Sequence, residues 1–313
     1  MFLRLLPIQH DVRGLNEISV ILGPASSELA TRIAMNMDAD MVDVDVRIFE
    51  DGESKLTLGK MQKKCCVVVQ STYPPIDRHL IQLFMMIKKS ADYKVDKIFA
   101  VIPYLAYARQ DREFMEGEVA SIGVVAKSLE ALGTAHLMTV DIHSTSALSH
   151  FRIGVQNISS IPLLADHIAN NLNLNHPIIV SPDTGGVQRA TRLASILGLD
   201  ILAVKKFRDR NTGKLTIDQS LDINIEGRDA IIIDDMITSG GSVTETCSLL
   251  KKSRSGKVYA VCVHALLVGN ATDRLKAAGV EDIIATNSVP NKYAKVDLSA
   301  LISANLEKLT HIS

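Results

Sequence analysis

At 313 residues the chain is long for one core and comfortable for two domains. Its 47% hydrophobic and 22% charged residues are ordinary for a globular protein. Lys plus Arg (34) balances Asp plus Glu (35), so a net charge of −1 gives no electrostatic reason for nucleic-acid or membrane-surface binding. There is no Trp, so any base stacking falls to Phe, Tyr or His. The four cysteines, Cys65, Cys66, Cys247 and Cys262, have no C-x-x-C spacing. They read as buried free thiols in a reducing, cytoplasmic compartment. No apolar run reaches membrane-spanning length, and the opening Met1-Phe-Leu-Arg-Leu-Leu is too short for a signal-peptide core.

Apolar runs predict buried strands at Ile18 to Leu22, Cys65 to Gln70, Lys97 to Pro103 and His136 to Asp141. Val42 to Phe49 alternates Val with Asp and predicts a strand with one exposed face. Helical spacing covers Ser27 to Met37, Leu80 to Lys89 and Ile122 to Leu132, the last stopped by Gly133. The second half repeats this rhythm. Helices are expected at Ile161 to Leu172, Val187 to Leu197, Val243 to Lys252 and Ala271 to Ala278. Strands are expected at Pro177 to Val180, Ile201 to Val204, Ala230 to Ile233, Lys257 to His264 and Asp282 to Thr286. Alternation of this kind predicts an α/β fold: two similar domains, each a mainly parallel sheet flanked by helices. Residues 1–154 would form the first and 155–313 the second, with a last helix that can pack back on the first domain.

In open parallel sheets ligands bind beyond the carboxyl ends of the strands. After Ala230 to Ile233 stand two acids, Asp234 and Asp235, then Thr238-Ser239-Gly240-Gly241-Ser242 at a helix start. Small residues and unpaired helical N–H groups make a phosphate cradle, and the acids suit sugar hydroxyls or a cation. After Val180 comes a second glycine turn with Asp183 and Arg189. After Val140 come Asp141 and His143, which on an extended segment share one side; they are either structural or a ligand pair for a cation or phosphate. After Ile102, the loop carrying Arg109, Gln110, Asp111 and Arg112 is either a solvated charge run or a phosphate clamp. Phe49, Asp51 and Glu53 fit either a plain hairpin turn or a base-stacking contact. Lys205 to Lys214 is either a loose surface loop or a basic lid over a transferring phosphoryl group. No Walker A sequence and no G-x-G-x-x-G is present.

Taken in order, these pieces resemble the ribose-phosphate pyrophosphokinase family over about Ile18 to Ser288. They are Phe49-Glu-Asp-Gly-Glu53, Val101-Ile-Pro-Tyr104, Tyr107-Ala-Arg-Gln-Asp-Arg112, Asp141-Ile-His143, Ser181-Pro-Asp183 with Gly185-Gly-Val187, Ile232-Ile-Asp-Asp235 with Gly240-Gly-Ser242, and Thr286-Asn-Ser288. The resemblance implies two phosphoribosyltransferase-type domains with an active site between them. It implies diphosphoryl transfer from ATP to the C1 hydroxyl of ribose 5-phosphate, with Mg2+, in a dimer-based homo-oligomer, commonly a hexamer. On the family's pattern, Asp234, Asp235 and Thr238 to Ser242 bind ribose 5-phosphate. Arg109, Gln110, Asp111 and Arg112 bind ATP, as do Phe49, Asp51 and Glu53 from the adjacent subunit. His143 and Asp183 attend the metal, and Lys206 and Arg208 are catalytic. Thr238 stands where the family loop often has Asp, and Ser144 to His150 lacks the glutamines many members carry. Two other readings use the same loop: a nucleobase phosphoribosyltransferase, and a catalytically silent homologue that binds synthetase subunits.

Overall fold

The structure, a computed structural model, describes residues 18–61, 63–204, 206–208, 215–217 and 223–311. Each half builds a six-stranded sheet of wholly parallel pairs. The first runs β1 (Ile18–Leu22), α1 (Ser27–Asn36), β2 (Asp40–Val42), β3 (Val44–Ile48), β4 (Ser54–Leu58), β5 (Cys65–Val69), α2 (Ile76–Asp92), β6 (Lys97–Ile102), α3 (Ser121–Ala131), β7 (His136–Val140), a 3-10 turn (Thr145–His150) and β8 (Gly154–Ile158). Its strand order is β2-β1-β5-β6-β7-β8. The second runs α4 (Ile161–Asn171), β9 (Ile178–Ser181), α5 (Val187–Leu197), β10 (Asp200–Ala203), β11 (Lys206–Arg208), β12 (Leu215–Ile217), β13 (Ala230–Ile237), α6 (Gly241–Lys252), β14 (Val258–Ala265), α7 (Ala271–Ala277), β15 (Val280–Thr286), β16 (Ala294–Val296) and α8 (Ser299–His311). Its order, β10-β9-β13-β14-β15-β16, repeats the first position for position. Even the antiparallel hairpins correspond: β3/β4 leaves the first sheet where β11/β12 leaves the second.

The central strands are apolar throughout because helices cover both their faces. Val67, Val68, Ala100 and Val101 are wholly buried in the first sheet, as are Ile231, Ile233, Ala260 and Val261 in the second. Alternation sends Val68 and Ala100 toward the α2/α3 side of the first core and Val67 and Val101 toward the opposite side. That opposite core is shared by the two domains. It runs from Val20 and Ile33 through Leu164, Ile302 and Leu306 to Ile179 and Ile231.

Continuity comes from an exchange of helices. β8 ends the first sheet, yet α4, which follows it, packs on α5; β16 ends the second sheet, yet α8 packs back on α1. A hydrogen bond of 2.9 Å from Gln156 Nε2 to Asn305 Oδ1 ties α8 to β8. The expected division at 154/155 falls at the start of β8, which pairs with β7; the sheets themselves divide after Ile158. The segment Val42 to Phe49 is also two strands rather than one. β2 pairs with β1 at the sheet edge, while β3 turns away to pair with β4, because its charged positions are exposed and have no second layer to cover them.

Candidate functional site between the two sheets

β13 runs past Ile233 to Ile237, keeping register with β14 through Asp234 opposite Cys262 and Met236 opposite His264. The acids expected just beyond a strand therefore lie within it, at its carboxyl end. Asp235 is 5% exposed. The chain then turns through Thr238 and Ser239 into α6. Gly240 caps that helix with φ +76°, the left-handed region that glycine enters without strain, and a Cβ there would lie 3.2 Å from Leu275 Cγ. Thr238 and Ser239 present hydroxyls, and the first N–H groups of α6 have no carbonyl within the helix to pair with.

A second turn faces this one. Asp183 Oδ1 accepts the Gly186 N–H at 2.9 Å, and a Cβ on Gly186 would come within 2.8 Å of Ser181 Oγ, so a larger residue there would have to displace that hydroxyl. It opens into α5, whose first turn carries Arg189. The Arg189 guanidinium lies 3.4 Å from Asp234 Oδ1 and 3.5 Å from Asp235 Oδ1, and it is largely covered. The sequence offered Arg189 as a base in a glycine turn; its reach to both acids across two strands was not legible there.

From the first domain, His143 Nδ1–H donates to Asp235 Oδ2 at 2.6 Å, a contact across 92 residues. Arg109 enters the same cleft, whose volume is about 420 Å3. Burial, joined by the neighbouring Asp235 carboxylate, pushes the Asp234 carboxyl well above the usual range; Arg189 offsets part of this. Burial would raise Asp235 too, but the His143 hydrogen bond and the Arg189 charge outweigh it and hold Asp235 low. The two acids are thus unequal: one ionised and clamped, its neighbour disposed to carry a proton.

Asp141 does not join His143. Its backbone is left-handed (φ +38°) rather than extended, and its Oδ2 accepts from Ser160 N (2.6 Å) and Ser160 Oγ (2.7 Å) at the start of α4. Gln110, Asp111 and Arg112 also stand back from the cleft lining. Gln110 Nε2 donates to Glu118 Oε2 at 3.2 Å, and Arg112 sits 5.0 Å over the Phe114 ring. Phe49, Asp51 and Glu53 form the exposed turn between β3 and β4, closed by Phe49 N–H to the Glu53 carbonyl at 2.9 Å, and do not line this cleft. Lys206 and Arg208 are described by backbone alone, in β11 opposite Ile217 and Leu215; their side chains lie outside the described residues, as do Lys205 and 209–214.

Among the described residues no three His, Cys, Asp or Glu side chains converge on one metal position. His143 and Asp183 each keep one atom uncommitted by the contacts above: His143 Nε2 and Asp183 Oδ2. The free Asp183 oxygen suits a hard divalent ion that takes its other ligands from water and phosphate oxygens; the His143 imidazole, lining the same cleft, is the softer donor of the two.

Residues 18–133 match a family model described as the N-terminal domain of ribose phosphate pyrophosphokinase, and residues 155–300 match one described as a phosphoribosyl transferase domain. The ribose-phosphate pyrophosphokinase of Sulfolobus acidocaldarius is 35% identical over 280 residues, covering 89% of this chain and 96% of that one. That of Methanopyrus kandleri is 34% identical over 283 residues, covering 90% and 96%. A crystal structure of phosphoribosylpyrophosphate synthetase from Mycobacterium smegmatis superposes with a TM-score of 0.84 at 24% identity, covering 95% of this chain and 100% of that one. That last likeness speaks for the fold.

Proposed function

The chain belongs to the ribose-phosphate pyrophosphokinase family, and from that premise we propose that it transfers the β,γ-diphosphoryl group of ATP to the C1 hydroxyl of ribose 5-phosphate. The C1 oxygen bonds to Pβ, the bond from Pβ to the α,β-bridging oxygen breaks, and AMP leaves with that oxygen. The hydroxyl proton is lost to water or to a group in the cleft. The observation that carries this reading is the joining, in one cleft, of the acid pair and small-residue loop of the second domain with Arg109 and His143 of the first.

In this reading Thr238 to Ser242 holds the 5-phosphate, and Asp234 and Asp235 accept from ribose hydroxyls. The Arg109–Arg112 segment forms the ATP side. Asp183 and His143 would hold a magnesium ion, which when bound draws charge off the triphosphate oxygens. Lys206 and Arg208 would neutralise charge that builds on the transferring group, so their contribution is greatest in the transition state. Holding the hydroxyl and Pβ in line supplies much of the remaining rate. The exposed Phe49–Glu53 turn supports adenine contacts given to a neighbouring subunit, in a dimer-based homo-oligomer. The free thiols, three of them buried, support a reducing, cytoplasmic location. No described helix is long and apolar enough to cross a membrane.

The test is to incubate the protein with ATP, ribose 5-phosphate and magnesium and to measure AMP and phosphoribosyl pyrophosphate. Well-folded protein that forms no AMP in response to ribose 5-phosphate would sink the reading. Lys206→Ala is expected to cut turnover at least 100-fold, the size of a lost transition-state contact, while the ATP KM changes little. Intact turnover with weakened ATP binding would remove the catalytic role.

A further inference from the structure

One carboxylate beside the cleft is engaged in a way the proposed reaction does not use. Asp111 Oδ2 accepts hydrogen bonds from Ser144 Oγ at 2.7 Å and from Ser146 Oγ, and the Asp111 carbonyl accepts from His150 Nε2–H at 2.7 Å. The two serine hydroxyls are 2.6 Å apart. All three donors belong to the short stretch that directly follows His143. Arg109, two positions before Asp111, and His143, one before Ser144, both line the cleft; Asp111 does not.

Charge-assisted hydrogen bonds of this length are among the stronger ones available to a loop. They connect two segments that have no regular backbone pairing with each other: the loop between β6 and α3, and the 3-10 turn after β7. The loop's other end is anchored too. Tyr107 is left-handed (φ +66°), and its hydroxyl donates to Asp77 Oδ1 on α2. A carboxylate turned toward a triphosphate would repel it, whereas one facing hydroxyl donors is stabilised by them.

We propose that Asp111, Ser144 and Ser146 form a bolt that fixes Arg109 against His143, so that Asp111 is a positioning residue and not a contact to ATP. The inference rests on the functional reading above and refines its nucleotide side. The bolt pre-arranges the loop, and the ordering cost otherwise met on binding is already met in the free protein.

Dissociation constants for a non-hydrolysable ATP analogue with magnesium test this, measured by calorimetry on the full chain. The variants are Asp111→Ala, Ser144→Ala/Ser146→Ala, and the triple. Asp111→Asn keeps the shape of the site should Asp111→Ala fail to fold. The acid variant and the serine pair are each expected to weaken binding on the order of ten-fold, and the triple to be no weaker than Asp111→Ala alone, because all remove one link. Ser144→Thr/Ser146→Thr, which keeps both hydroxyls, should recover most of the affinity. Additive losses in the triple, or serine variants that bind normally, would overturn the bolt and return Asp111 to the ligand. Wild type that binds the analogue but forms no AMP sinks the reaction and leaves this comparison readable. Wild type that binds no nucleotide overturns both.

Discussion

Asp141 and His143 show how a pair of residues two apart acquires separate duties. On an extended strand both side chains would point one way. The left-handed turn at Asp141 breaks that relation and sends its carboxylate to Ser160, where it accepts two hydrogen bonds at the start of α4. Asp141→Ala is therefore expected to cost about 1–2 kcal/mol of unfolding stability, the size of a lost cap. The magnesium concentration for half-maximal activity should stay as in the wild type. A changed magnesium requirement at unchanged stability would return Asp141 to the metal. Arg189 is the converse case. Its type and place in a glycine turn were legible, but its partners arrive from β13, some 45 residues along the chain. No local pattern encodes that meeting.

At the β13-to-α6 turn the order of parts was legible because its signal is local, although β13 runs on to Ile237 and takes both acids into the strand. An apolar run, two acids, small residues and a helical pattern are contiguous, and each demands a backbone state that its residues favour. Gly240 carries the tightest constraint, a positive φ with Leu275 close behind it. Gly240→Ala is expected to lower stability by about 1 kcal/mol or more from backbone strain. It should also raise the KM for ribose 5-phosphate more than that for ATP. A variant as stable as wild type, with both KM values unchanged, would show that the turn does not need this conformation. The hairpin β3/β4 has no such local signature. Alternation over Val42 to Phe49 declares a half-exposed strand but not its partner. Only the pairing of Val44 with Leu58 and Ile48 with Ser54 shows that β3 has left the main sheet.

Between the domains, His264 is a buried group that ties the second sheet to the first. Wholly enclosed on β14, it must donate from Nε2 to the Val140 carbonyl of β7 (3.1 Å), since a carbonyl only accepts; Nδ1 then receives the Ser288 hydroxyl at 2.8 Å. Burial lowers its pKa to about 4. A histidine whose folded pKa lies below its unfolded value stays neutral and costless above about pH 6.5. As pH falls from there toward 4, the unfolded chain takes up the proton first and stability declines. This group alone accounts for on the order of 3 kcal/mol by the bottom of that window. Urea unfolding followed from pH 7 to 4 should lose stability less steeply in His264→Gln than in wild type. Identical slopes would mean that burial does not hold the histidine neutral.

By itself the sequence determined the parallel α/β character, the duplicated rhythm of strands and helices, and the acid-and-glycine turn that lines the candidate site. These follow from short-range rules: burial on both faces makes strands apolar, and a phosphate cradle needs small residues next to a helix start. Tertiary structure decided the rest. It exchanged α4 and α8 so that one core serves both domains, turned Asp141 away from the cleft, and drew Arg189 and His143 onto the acid pair. It also set Asp111 against Ser144 and Ser146. Each of these joins groups far apart in the chain, and such contacts are fixed by the packing of sheets and helices, which no single stretch of residues records.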